Sequence, residues 1–556
     1  MDNLPKKENQ ADKDSSQASG EIYSHGEQSV YGEATRPENH QEADGQYQGI
    51  QPPFSEGSSS NSTSNDSNSG YSQEGSVNAS PYDAAPNSSS PFEENKQKKI
   101  IIYIVAVIIF LLLILLGYFV FNFIKNRQNN NSPKDNKTKV VLNYWGLWED
   151  DQIMKGVVDD YQRIHPNVEI KYAKQSTVQY RERLQAAIDR SEGPDIFRFH
   201  NSWVPMIVNQ LDAMPKDIYS DEEFENTFYP VASSDLKMGG NYYGIPLEID
   251  GLLLFYNEDI LKSANVQVPS TWIDVQNVAF QNKLTVIENN KLITSAIALG
   301  TTDNIDHFSD ILGLMFLQNG TKLNKSLFSC LDEKITSCSV EVLTFYHKFA
   351  EPGTPNYTWN ETIDNSIIAF ATGKVAMILA PSWQTFTIQE IAKNSNIQLN
   401  FKTAQVPQLP CNTSSCPPIN WATYWVEGVA KTSKNKKAAW EFLKYLSSKE
   451  VMIKLYSEQM KVRQLFGEPY SRKDLADKLS DNHYLAPLIA AAPTMKSFYL
   501  VSRTYDGDTG IDSRMITYLK NAVNSLSQGV SPESALKTAD EGFKQVYSSF
   551  GITSAN

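Results

Sequence analysis

Cysteine is scarce in this chain and positive charge is not in excess. Only four cysteines occur in 556 residues, and none precedes position 330. With no cysteine in or just after the long apolar stretch at 100–124, a lipid-modified cysteine anchor is excluded. Lys and Arg total 50 against 64 Asp and Glu, giving a net charge of −14. No basic patch stands out in the C-terminal region, which argues against a nucleic-acid partner. Catalytic signatures are missing too. There is no His-Glu-x-x-His and no Gly-x-Ser-x-Gly, and Gly373-Lys374 lacks the leading glycine of a phosphate loop. Asp506-Gly-Asp508-Thr-Gly510-Ile-Asp512 matches part of a calcium loop but lacks the closing glutamate. The expectation is a protein that is not an enzyme, with no cofactor and no metal.

Residues 1–98 have almost no aliphatic side chains. The first 95 carry 16 acidic and 4 basic groups, so most of the net charge sits there. Such a composition cannot bury enough apolar surface to offset its ordering entropy, and a disordered acidic tail is expected. The chain then reverses character. Ile100 to Ile124 holds no charge, and at about 1.5 Å per residue it is long enough for a hydrocarbon core of roughly 30 Å. One transmembrane helix is expected within 99–125, followed by an Asn- and Lys-rich linker at 126–139. The apolar run is too long, and its leader too extended, for a cleaved signal peptide.

Flanking lysines lean weakly toward the C-terminal side. The cysteines point the other way. They fall in two close pairs, Cys330 with Cys338 and Cys411 with Cys416, which suits two local disulfides in an oxidising compartment better than zinc, whose short C-x₂-C spacing is absent. A single-pass cell-membrane protein is expected, with its tail cytoplasmic and the region from 140 onward extracytoplasmic.

From 140 the pattern is globular. Val140–Trp145 reads as a strand; residues 150–164 place Ile153, Val157, Val158, Tyr161 and Ile164 on one helical face; Val168–Tyr172 alternates as a second strand. A helix around 178–190 then leads into a strand at 195–199. Alternating strands and helices predict an α/β fold with largely parallel sheets, and more than 400 residues predict two lobes.

Several stretches occur in the order of one family. They are Tyr144-Trp145-Gly146, His165-Pro166-Asn167, Gly193-Pro194-Asp195-Ile196-Phe197, Tyr243-Gly244-Ile245-Pro246, Leu254-Phe255-Tyr256-Asn257-Glu258-Asp259 and Pro269-Ser270-Thr271-Trp272. Phe370-Ala371-Thr372-Gly373-Lys374, Pro381-Ser382-Trp383, Val406-Pro407-Gln408 and the helix around Trp440 follow. The region resembles the family 1 extracellular solute-binding proteins of ABC importers, the maltose-binding-protein group. The resemblance implies a two-lobed, periplasmic-binding-protein-like (type II) fold. It places lobe 1 at about 140–247 and 408–455, lobe 2 at about 252–403 and 470–550, and crossings near 246–251, 403–408 and 455–470. It also implies a hinge that closes on a small ligand, expected to be a mono- or oligosaccharide, and a permease as partner.

Sugars present apolar faces and a rim of hydroxyls, so rings beside planar polar groups are the candidates. Trp148 with Glu149 follows the first strand, where open α/β sheets bind ligands. Asn201 and Trp203 follow the strand at 195–199, and Glu248 and Asp250 follow Ile245-Pro246. Trp383 matches the family's sugar-stacking tryptophan. Trp425 lies in an aromatic–acidic cluster with Trp421, Tyr424 and Glu427, and Arg503 and Tyr505 lie in the last family segment. Trp272 and Trp440 read as core, and Asp195 as a structural cap. Two rival classes exist: a surface glycosidase using Glu248 and Asp250 as its acid–base pair, and a sensor signalling through the tail.

Overall fold

The computed structural model describes residues 113–120, 139–280, 284–289, 291–410 and 417–552. The expected tail, most of the apolar stretch 100–124, the linker up to 138 and the Cys411–Cys416 pair lie outside them. Residues 113–120 are helical, and among the described residues no helix is long and apolar enough to cross a membrane.

Two five-stranded sheets organise the rest. The first holds β1 (Val140–Gly146), β2 (Val168–Lys174), β3 (Ile196–His200), β4 (Ile245–Pro246) and the later strand Trp425–Val429, in the order β2-β1-β3-(Trp425–Val429)-β4. The second holds β5 (Leu252–Asn257), β6 (Val286–Glu288), β7 (Lys291–Ile297), β8 (Val375–Pro381) and β9 (Phe401–Ala404), in the order β9-β5-β8-β7-β6. Trp425–Val429 is β10. The expectation of largely parallel sheets is corrected. β1 runs parallel to β2 and β3, but β10 is antiparallel to both β3 and β4. In the second sheet only β7 and β8 run parallel. The reason is chain order: β10 and β9 enter from distant sequence, so their direction follows the route of the chain rather than a strand–helix–strand repeat.

Helix α1 (Asp151–Ile164) buries Ile153, Met154, Val157, Val158 and Tyr161. Ile164, expected on the same face, is 60% exposed because the helix outruns its cover in its last turn before His165-Pro166. Trp272 and Trp440 are buried, their indole nitrogens donating to Gln318 and Asp212. Asp195 accepts from the backbone of Asn143 (2.9 Å) and from the Ser433 hydroxyl, stitching β1 to the turn after β10. Cys330 and Cys338 are joined in a disulfide.

Two of the passages between the sheets, 247–251 and 422–424, lie side by side. Residues 247–251 run beside 468–471, with Ile249 N donating to Pro469 O at 2.9 Å, and beside 422–423, with Thr423 N donating to Asp250 O at 2.9 Å. At Gly251 a Cβ would stand 2.0 Å from the Trp421 carbonyl oxygen, so only glycine allows this approach. Asn420–Trp421, paired with the later Met495–Lys496, precedes the entry into the first sheet, which the chain makes at Trp425. The helix Lys449–Arg463 and residues 464–473 stay against the first sheet's elements, held by Glu468, Ser471 and Arg472. The chain reaches the second sheet again at His483 and Tyr484, whose carbonyls accept from Thr403.

Candidate functional site

Rings gather where β1, β3 and β10 end. Trp148 follows β1, Trp203 lies in the turn after β3, and Trp425 opens β10 opposite His200. Trp425 meets Trp148 edge-on (centroids 5.3 Å), His200 (5.2 Å) and Trp203 (5.8 Å). Tyr505 reaches the same cluster from the loop before the helix Ile511–Leu526, 6.0 Å from Trp148 and 6.4 Å from Trp425. Trp148 and Tyr505 are half-buried, whereas Trp203 is fully buried and backs Trp425 from behind. Burial pushes His200 down to about 3, so it is neutral there.

Glu248 sits under this cluster, its Oε1 accepting the Trp425 backbone N–H at 2.9 Å. Burial pushes its carboxyl up to about 7, against the pull of Arg198. Asp250 differs from its expected role. It accepts from Gly251 N (2.6 Å), Ser382 N (3.0 Å), Ser382 Oγ (2.9 Å) and Trp383 N (3.3 Å). Burial pushes it up to about 6 although those donors oppose the shift. Its oxygens are committed to the chain at 382–383, so it positions Trp383 and is not a free acceptor. Trp383 itself is half-buried, edge-on to His307 at 5.9 Å.

Glu149 is also placed elsewhere than expected. It turns away from Trp148 into a buried ion cluster that the sequence reading missed. Arg198 donates to Glu149 (2.9 Å), Glu427 (2.6 Å) and Glu468 (3.0 Å), with Arg463 (3.2 Å) and Gln459 (3.0 Å) also on Glu149. Tyr144 donates to Glu427 at 2.9 Å. Burial disfavours the Glu149 anion, but Arg198, the Glu468 hydrogen bond and Arg463 together hold the carboxyl down at about 2. Glu468 is driven well up, chiefly by burial and further by the neighbouring carboxylates of Glu149 and Glu248, against the pull of Arg198. Arg198 had a signal: an arginine inside Ile-Phe-Arg-Phe-His, a strand of wholly buried residues, must find carboxylates.

Asn201 spends both ends of its amide inside the protein, accepting from Tyr424 N (3.2 Å) and donating to Asp235 (2.8 Å). Arg503 pairs with Asp306 and, like Tyr505, has a left-handed backbone (φ 59° and 54°). Trp421 is buried, donating to Asp310 at 3.0 Å. Of the expected ligand groups, Trp148, Glu248, Trp425 and Tyr505 are brought together. Trp203 and Asn201 lie behind them, Arg503 adjoins Tyr505 while pairing with Asp306, and Trp383 is held by Asp250.

Two sheets with paired crossings and a ring-lined junction between them define a two-lobed binding protein. The fold agrees with solved structures. The sugar-binding protein MalE of Xanthomonas citri superposes with a TM-score of 0.56 at 17% identity, covering 74% of this chain and 98% of that one. The model of the family described as bacterial extracellular solute-binding protein matches residues 156–463, and the chain belongs to that family, one of solute-binding proteins rather than enzymes. Among curated relatives, a binding protein of Brucella abortus is 25% identical over 278 residues, 48% of this chain and 62% of the relative. The maltotriose-binding protein of Pyrococcus abyssi is 20% identical over 306 residues, 54% of this chain and 61% of the relative. The chain thus spans about six-tenths of the length of these relatives.

Proposed function

We propose that this chain is the membrane-tethered receptor of an ABC importer and that its ligand is a carbohydrate held between the two lobes. The observation that carries the reading is the meeting of Trp148 and Trp425, from the first sheet, with Tyr505, tied to the second, above the carboxyl of Glu248. Rings cover the apolar faces of a sugar, and Glu248 offers an oxygen to its hydroxyls. Trp383, set by Asp250, adds a further half-buried ring. The relatives named for maltotriose and the sugar-binding MalE support carbohydrate as the class. Asp250, with its oxygens already engaged, leaves Glu248 without the free partner that a glycosidase would need.

The lobes comprise 140–246 with 425–473, and 252–421 with 483–552, and the passages at 247–251, 422–424 and 474–482 act as the hinge. The apolar stretch 100–124 anchors the chain, with the tail cytoplasmic and the lobes outside. The Cys330–Cys338 disulfide supports an oxidising location. A permease that reads closure is the partner.

Titrating the full chain with maltotriose and a panel of other sugars, while following tryptophan fluorescence, tests the reading. At least one sugar should give a saturable change, and Trp425→Ala should weaken it at least about tenfold. Flat titrations across the panel, or release of hydrolysed product, would refute it.

A further inference from the structure

The segment 497–512 is fastened to both halves. On the second sheet's side, Ser502 N donates to Asp310 (3.0 Å), Arg503 pairs with Asp306, and His307 meets the Ser502 hydroxyl at 2.8 Å, while within the segment Val501 N donates to Asp512 (3.1 Å). The helices Ile511–Leu526 and Pro532–Ser549 continue that packing, with Asp540 accepting from Leu327 N at 2.8 Å. On the first sheet's side, the Ser202 hydroxyl donates to Asp512 (2.6 Å), Arg181 donates to Thr509 (2.5 Å), and the Ser497 hydroxyl donates to Asp235. The approach is close: a Cβ on Gly507, whose φ is 68°, would lie 1.8 Å from the Glu182 carboxylate.

Two carboxylates at this junction lack a cation among their bonding partners. Asp512, fully buried, accepts from Ser202 and Val501 and faces the carboxylates of Asp506 and Asp310. Ser202 is backed by His200 at 2.8 Å, neutral there, and Arg181 turns its charge toward Asp506 and Glu182. Asp235 accepts from Asn201, Tyr424 and Ser497. The Tyr499 phenol lies in the field of both, raised chiefly by its own burial. A buried anion met only by neutral donors and further anions is costly, and a proton removes the cost.

We propose that 497–512 is an acid-favoured latch, which holds the two halves together when Asp235 and Asp512 carry protons and releases them when both ionise. The inference rests on reading the halves as hinged, but not on the identity of the ligand. With 497–512 fastened to both halves as here, burial pushes Asp235 up to about 6 and Asp512 well above the ordinary carboxylate range. Opening returns each to water, near about 4. Closure therefore takes up protons: the share from Asp235 is fully present below about 4 and is lost as pH rises through about 6, and Asp512 acts in the same direction.

Hydrogen–deuterium exchange on the full chain in detergent micelles, without sugar, tests the latch at pH about 5 and about 7.5, after correction for intrinsic rates. Amides in 199–206 and 498–513 should be about tenfold better protected at the lower pH. Asp235→Asn with Asp512→Asn should keep that protection at the higher pH. Equal corrected protection at both pH values in the unsubstituted chain, which needs no variant to fold, would overturn the proposal, as would asparagine variants that still open at the higher pH. Because no ligand is added, failure of the sugar reading leaves this result interpretable.

Discussion

Glu248 shows how one buried carboxyl ties stability to pH. Its ordinary value lies near 4.5, and burial lifts it to about 7. The folded chain prefers the neutral acid, so this contribution is fully present below about 4.5 and is lost as pH rises through about 7. Glu248→Gln keeps the shape and an oxygen acceptor for the Trp425 N–H but cannot ionise. The variant should therefore gain stability relative to the parent between pH about 5 and about 7.5, by up to roughly 3 kcal/mol. Thermal unfolding of both proteins at the two pH values checks this; a difference independent of pH would contradict it. At this scale the sequence showed which residues were rings and carboxyls but not which way each would turn. Trp148 and Trp425 reach the junction. Glu149, next in sequence to Trp148, is captured by Arg198, 49 positions away, and Asp250 by Ser382, 132 positions away. Those captures depend on long-range pairing that no local pattern records.

Among the elements, the strands and helices of the first sheet lay open in the sequence because each had its own periodicity. Val140–Gly146 alternates, Asp151–Ile164 carries an apolar stripe, and Pro166 ends it. Strand direction was less legible. The repeat of strand and helix suggested parallel neighbours, yet β10 returns from 180 residues beyond β4 and enters antiparallel. The crossings were hard to place for the same reason, since Glu468 and Ser471 are held to the first sheet by partners more than 200 residues away. Gly251 is the tightest point of these crossings. Gly251→Ala sets a Cβ against the Trp421 backbone oxygen, which no rotamer change relieves. It should cost about 2 kcal/mol or more, read as a lower midpoint in thermal unfolding. An unchanged midpoint would mean that the crossing segments are not packed as described.

For the whole molecule, a ligand can drive closure only if it binds the closed arrangement better than the open one, which requires groups from both halves around it. Trp148 and Trp425 on one side and Tyr505 on the other supply them. The most direct measurement places one fluorophore on each half of the full chain, at the exposed positions Lys171 and Lys393, and follows energy transfer as a sugar that saturates the tryptophan signal is added. A saturable change in transfer, with the same midpoint as the tryptophan titration, is the predicted result. Transfer that stays constant while the sugar demonstrably binds would contradict hinge closure as the means by which this protein reports its ligand.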